Sequence, residues 1–194
     1  MKGASNDQVL LPTIETERLT LRPFRLSDAS DIQRLAGERD IADTTLNIPH
    51  PYEDGMAEEW IASEEAACDA GKSITLAIVL RDDACLVGAV GLKIERDHDK
   101  AELGYWIGKP FWSCGYATEA ARALLGYGFG ELQLNRIHAA HMASNPSSGR
   151  VMEKLGMLYE GTARQDLKKW GRREDLVSYA ILREDWSDAI FRHN

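Results

Sequence analysis

A strand, a glycine-containing turn and a helix follow one another in Glu102-Leu103-Gly104-Tyr105-Trp106-Ile107-Gly108, Trp112-Ser113-Cys114-Gly115-Tyr116-Ala117 and Thr118 to Phe129. Such a turn leaves several backbone N–H groups unpaired at the positive end of a helix dipole. Gly115 and Ala117 keep side chains out of the way, so the segment can cradle a pyrophosphate. Glycine before a helix is equally an ordinary structural device, and the turn alone does not separate the two readings. Alternation along the strand puts Glu102, Gly104 and Trp106 on one face and Leu103, Tyr105 and Ile107 on the other.

Other phosphate and metal motifs fail on inspection. Gly71-Lys72-Ser73 has the end of a Walker A loop, but Ala66 stands where its first glycine belongs and a strand follows where a helix is needed. Gly126, Gly128 and Gly130 are spaced G-x-G-x-G and lie at the end of a helix, not at a strand-to-helix turn. The five histidines lack metal-ligand spacing, with His138 and His141 on opposite faces of a strand, and no metal site is expected. Cys68, Cys85 and Cys114 are far apart and read as free thiols.

These residues must be positioned by elements that the apolar pattern reveals. Residues 18 to 25 read as a strand leading to a helix capped by Ser27-Asp28. Residues 47 to 52 carry two prolines and cannot be regular helix, while residues 53 to 69 hold seven Asp or Glu and no Lys or Arg. Met56, Trp60, Ile61 and Cys68 make the latter an amphipathic helix with an acidic outer face. Three strands, at 73–80, 85–95 and 100–108, suggest an antiparallel meander. In the next helix Ala117, Ala120, Ala121, Leu124, Leu125 and Gly128 form a stripe of small and apolar residues suited to lying against a sheet. A strand at 136–142, a short helix from 146 to 155 and strands near 157–163 and 176–182 follow. The basic cluster Arg164, Lys168, Lys169, Arg172 and Arg173 flanks a Trp170-Gly171 hairpin turn, and solvation is preferred over an RNA contact.

The chain has 194 residues, 44% hydrophobic and 28% charged, the balance of a soluble globular protein. It is read as a single domain over 1–194, with a core of about 17–186 and flexible termini. A formal charge of −8 disfavours nucleic acid as the main ligand. No apolar run is long enough to span a bilayer and the start lacks a signal peptide, so no membrane role and a cytoplasmic location are expected.

The run Trp112-Ser113-Cys114-Gly115-Tyr116-Ala117-Thr118-Glu119-Ala120 resembles the coenzyme A pyrophosphate loop of RimJ/RimL-like GNAT acetyltransferases. Asn145-Pro146-Ser147-Ser148-Gly149-Arg150-Val151-Met152-Glu153-Lys154-Leu155-Gly156-Met157 is similar to a second stretch of that branch, in the same order and spacing. One departure is Trp112, where the wider superfamily has Arg or Gln. It leaves the pyrophosphate to rest mainly on backbone amides.

The resemblance implies an α+β GNAT fold, a mostly antiparallel twisted sheet of about seven strands flanked by helices. It implies acetyl-CoA as co-substrate and no metal, with Tyr105, Trp106, Ile107, Trp112, Ser113, Cys114, Gly115, Tyr116, Ala117, Thr118 and Asn145 binding it. Asn145 would hydrogen-bond the pantetheine arm, although capping of the helix before Pro146 is just as natural. Glu102, expected to be partly buried, would take the proton of the acceptor amine, or a water chain would; pairing with a neighbouring Arg is the plain alternative. A backbone N–H near Trp106 or Ile107 would hold the developing oxyanion, and Ser148 would supply a proton to the departing thiolate. Cys114 is a filler. The acceptor would be a primary amine, a ribosomal or other protein N-terminus, met by a monomer or homodimer, with the acidic helix of 53–69 (Glu58, Glu59, Glu64, Glu65) near its entrance. A small-molecule amine such as a polyamine or aminoglycoside, and a non-catalytic acetyl-CoA sensor, remain alternatives.

Overall fold

The computed structural model describes residues 11–186; of the termini expected to be flexible, residues 1–10 and 187–194 lie outside the described residues, while 11–16 lie within them. Apolar residues on both faces of Ser73–Leu80 (β3) make it a central strand. Ile74, Leu76 and Ile78 are buried in one core, and Ala77 and Val79 in a second on the opposite face. Around it lie β1 (Ile14–Glu15), β2 (Leu19–Arg22), β4 (Leu86–Glu95), β5 (Lys100–Ile107), β6 (Arg136–Met142), β7 (Leu158–Lys169) and β8 (Arg172–Leu182). They form one eight-stranded sheet in the order β1-β2-β3-β4-β5-β6-β8-β7, one strand more than expected because of the two-residue β1. Neighbours are antiparallel except β5 and β6, which run parallel.

That parallel pair demands a crossover, and α4 (Tyr116–Gly130) supplies it. Its stripe of Ala120, Ala121, Leu124 and Leu125 is fully buried on the face carrying Leu92, Leu103 and Ile137. Gly128 belongs to the same contact: a β-carbon there would come within 2.8 Å of Ile137 Cδ1 and 3.2 Å of Leu92 Cδ1. On the other face α1 (Ala29–Ala36) and α3 (Met56–Asp69) bury Ile32, Leu35 and Ile61 against Ala77, Val79 and Leu86. A short helix α2 (Arg39–Thr44) joins them, unforeseen because only Ile41 and Ala42 are buried in its six residues. A further helix, α5 (Pro146–Lys154), follows β6.

The β7–β8 hairpin runs further than its apolar pattern predicts. Leu167, Lys168 and Lys169 pair with Glu174, Arg173 and Arg172, a rung set of mostly charged residues held by backbone hydrogen bonds. Trp170 (φ 47°) and Gly171 (φ 82°) form the left-handed two-residue turn that such a hairpin requires.

The entry into α1 rests on a largely buried ion pair. Arg22 donates from Nη1 to Asp28 Oδ2 (2.7 Å) and from Nη2 to Oδ1 (2.8 Å), while the Arg25 N–H donates to Oδ2 (2.8 Å). Burial alone would raise the Asp28 carboxyl, but these donors hold it below its ordinary value. A depressed carboxyl stabilises the folded state above its unfolded value of about 3.9, and loses that contribution as pH falls through the lower folded value. Asp28→Asn takes away the charge that the largely buried Arg22 guanidinium meets, so urea unfolding at pH 7 should show a loss of about 3 kcal/mol. The difference between variant and parent should shrink as the pH is taken below about 4.

Candidate active site

The site starts where β5 and β6 part. Hydrogen bonding joins them only at Lys100↔Arg136, Ala101↔Ile137 and Glu102↔His138, although β5 continues to Ile107 and β6 to Met142. Each strand keeps its outer partner: β5 stays on β4 as far as Gly88↔Ile107, and β6 stays on β8 as far as Met142↔Leu176. A wedge therefore opens through the sheet. The Gly108 N–H donates to Val87 O (2.8 Å), and strand alternation then turns the backbone of Trp106 towards β4 and that of Tyr105 and Ile107 towards the wedge. Of the two residues expected to offer an N–H, Trp106 is thus spent on the sheet and Ile107 faces the opening. The Ile107 carbonyl accepts from Trp112 Nε1 (2.6 Å).

At the end of the wedge lies the loop before α4. Ser113 (φ 63°) and Gly115 (φ 83°) are both left-handed, and no side chain caps the helix. Its first N–H groups stay available to a ligand, the arrangement that binds phosphate. Arg18 donates from Nη1 to Cys114 O (3.0 Å) and from Nε to Glu119 (2.7 Å), and its guanidinium lies 4.8 Å from the Tyr116 ring centre. Glu119 also accepts from Thr16 Oγ1 (2.7 Å) and the Arg18 N–H (2.9 Å). Burial acts to raise the Glu119 carboxyl, but Thr16 and Arg18 outweigh it and hold it low. Arg18 brings a cation to a loop whose own position 112 is tryptophan. Sequence reasoning missed it because it stands 96 residues from Cys114, and only the β1–β2 turn carries it there.

On the far side of the wedge, Ser148 Oγ lies 2.8 Å from Tyr105 Oη, which also donates to Ser148 O (3.1 Å). Burial pushes the Tyr105 phenol up to about 12, against the pull of the Ser148 hydrogen bond, so it stays protonated at neutral pH. Asn145 caps α5 by accepting from the Ser148 N–H (3.4 Å) and donates to Thr44 O (3.4 Å). The structural reading of Asn145 therefore has direct support.

Glu102 shares the last rung with His138 and is exposed, in place of the partial burial expected; no Arg pairs with it among the described residues. His138 was not foreseen as part of the site. Burial lowers its pKa, against the opposing effect of Glu102, and its buried Nε2 has no hydrogen-bond partner among the described residues. Nothing in its local sequence marks it; the parallel rung puts it beside Glu102. Of the expected residues, Tyr116, Ala117 and Thr118 open α4, while Cys114 is exposed with its thiol against Trp112 O (3.5 Å). Among the described residues no group of three or more His, Cys, Asp or Glu side chains could hold a metal ion, and no helix is long and apolar enough to cross a membrane.

Trp106 carries the site to the other face of the sheet. Its side chain lines a cleft of about 490 Å³ between α1, α3 and the 47–52 segment, with Ile48, Tyr52, Met56, Glu59 and Trp60. Of the carboxylates of the acidic helix, only Glu59 reaches this cleft. Glu58, Glu64 and Glu65 line a different depression beside Phe24 and Thr75, which corrects the expectation that all four lie at one entrance. The cleft wall is fastened from afar: Lys169, 6% exposed, donates to Leu46 O (3.2 Å) and Ile48 O (3.5 Å), and Arg172 pairs with Asp43 (3.2 Å). The basic hairpin is in this part a clasp, not a solvated turn.

A sheet wedged open beside an uncapped helix start, with a cleft on its other face, is the build of a transferase that draws a group from a phosphate-bearing donor. The GNAT acetyltransferase domain matches residues 18–158, and the chain belongs to that family; it is an N-acetyltransferase. It is 30% identical over 179 residues to "Uncharacterized N-acetyltransferase p20" of Bacillus licheniformis, covering 91% of this chain and 99% of that one. It is 41% identical over 105 residues to "Putative ribosomal N-acetyltransferase YdaF" of Bacillus subtilis (strain 168), covering 54% and 57%. Among solved structures, a GNAT-family acetyltransferase from Bacillus anthracis superposes with a TM-score of 0.79 at 29% identity, covering 89% and 99%.

Glu119 ties the loop to the β1–β2 turn. In Glu119→Gln, hydrogen exchange of the amides of residues 113–118 should accelerate by about tenfold or more, while exchange in β3 and β4 stays at the parent's rate.

Proposed function

We propose that this chain moves the acetyl group of acetyl-CoA directly to the primary amine at a protein or peptide N-terminus, in the cytoplasm. The observation that carries the reading is the wedge between β5 and β6, with an uncapped helix start at one end and the Trp106 cleft on the opposite face. GNAT acetyltransferases use acetyl-CoA, and the donor set here suits it: free N–H groups of residues 113–118, an Arg18 guanidinium beside them and no β-carbon at Gly115. The peptide acceptor is supported by the ribosomal N-acetyltransferase name of one relative.

The chemistry divides among the chain's own groups. A terminal ammonium has a pKa of about 8 and must lose a proton before its nitrogen can bond to the acetyl carbon. Glu102, with neutral His138 on the same rung, takes that proton directly or through water. The Ile107 N–H, turned to the wedge and joined by that of Tyr105, stabilises negative charge growing on the acetyl oxygen. As the carbon–sulfur bond breaks, its electron pair leaves on sulfur. Ser148 passes its hydrogen to that sulfur, receives one in turn from the Tyr105 phenol, and water returns a proton to the phenol, so both hydroxyls end protonated, as burial of the phenol requires at neutral pH. Asn145 both caps α5 and offers its amide to the pantetheine arm.

Gly115→Val forces a β-branched residue into a left-handed backbone that costs roughly 1–2 kcal/mol, so calorimetry should show acetyl-CoA binding weakened by about tenfold. Binding as tight as the parent's would sink this placement of the co-substrate. Ser148→Ala should lower kcat by about 100-fold with little change in KM for acetyl-CoA. An unchanged kcat, with chemistry rate-limiting, removes Ser148 from the proton path. Binding of acetyl-CoA without acetylation of any amine would favour the sensor.

A further inference from the structure

Resting on the acetyl-transfer reading, we infer that the acceptor is a singly charged amine whose reacting nitrogen is flanked by a large apolar or aromatic side group: an N-terminus beginning with Phe, Leu or Met. Small first residues and polyamines fit the site less well. The cleft that opens from Trp106 is about 490 Å³, within the range of roughly 300–1,000 Å³ typical of small-ligand sites. Its lining is mostly apolar and includes three aromatic rings, Tyr52, Trp60 and Trp106, with Ile48 and Met56 beside them. Glu59 is its one ionisable carboxylate, and that group makes no hydrogen bond or ion pair with any described residue. Met56, Glu59, Trp60 and Ser63 recur at i, i+3, i+4 and i+7, so a single face of α3 presents both the carboxylate and the apolar surface.

Charge and shape thus agree on one occupant. One carboxylate matches one ammonium, and aromatic faces both receive an apolar side group and attract a nearby cation. A polyamine carries further ammonium groups that would have to leave water for apolar walls with no second carboxylate to meet them. An alanine or serine side chain would leave most of the aromatic lining uncovered and forgo its burial energy. The cleft is also held in shape without ligand, because Trp60 packs edge-on against Phe24 with ring centres 4.9 Å apart and Lys169 anchors the 46–48 wall.

The test is product formation by the full chain with acetyl-CoA, followed by mass spectrometry. The peptides differ only in a first residue of Phe, Leu, Met, Ala, Ser or Gly; phenethylamine and spermidine complete the panel. The Phe, Leu and Met peptides should exceed the Ala, Ser and Gly peptides in kcat/KM by about tenfold or more, as a side group larger by at least about two carbons allows. Glu59→Gln, a change at an exposed position, should lower kcat/KM for the Phe peptide by about tenfold while calorimetric acetyl-CoA affinity stays at the parent's value. Ala, Ser or Gly peptides or spermidine used as well as the Phe peptide would overturn the apolar acceptor and leave acetyl transfer standing. Phenethylamine preferred over every peptide would uphold the apolar cation but move its source from proteins to free amines. Acetylation of none of them, with acetyl-CoA bound, would overturn this inference and the peptide reading together.

Discussion

The loss of pairing between β5 and β6 after the Glu102↔His138 rung is the constraint on which the site depends. Three rungs hold the two halves of the sheet together, and beyond them each strand follows its outer neighbour. An opened sheet normally leaves polar backbone groups stranded, a cost that a folded protein must offset. Here part of that cost is met by Trp112, whose indole donates to Ile107 O, and the rest of the exposed edge is left for a ligand. Because α4 must cross over between parallel strands, its uncapped start lands beside the opening. Cradle and wedge are consequences of one topological choice.

The wedge would be of little use if its borders drifted, and each border is pinned by residues distant in sequence. Arg18, Thr16 and Glu119 hold the β1–β2 turn to the first turn of α4. Tyr105 spans the opening to reach Ser148, which keeps α5 at a fixed separation from β5. Asn145 reaches the end of α2 at Thr44, and Lys169 satisfies two carbonyls of the segment that walls the cleft. Burying a lysine is costly, as the downward push on its pKa records, so the two carbonyls it meets are structural partners and not incidental contacts.

Trp106 links the two faces. Its backbone belongs to the β4–β5 ladder, its side chain fills part of the cleft, and the next residue turns its N–H to the wedge. A strand's period of two makes this possible: neighbouring residues serve opposite faces, so donor and acceptor can meet through the sheet at a single place.

Much of this protein was legible in its residues because the determining interactions are local. Apolar runs and alternation mark β3 to β6, the stripe of Ala120, Ala121, Leu124 and Leu125 marks α4, and Gly115 and Asn145 mark loops whose residue types are dictated by left-handed backbone and capping. The family resemblance rests on those same runs. Where stability comes from backbone pairing of charged residues, as in the arms of the β7–β8 hairpin, periodicity has nothing to report and the strands come out short. Tertiary structure alone decided what non-local distances decide: that Arg18 meets the loop, that His138 stands beside Glu102, that Glu102 is exposed, that Ile107 and not Trp106 faces the wedge, and that Glu59 alone of the acidic helix's carboxylates enters the cleft. A sequence records which groups a chain owns, but the chemistry of a site depends on separations of about 3 Å. Folding sets those between residues more than a hundred positions apart.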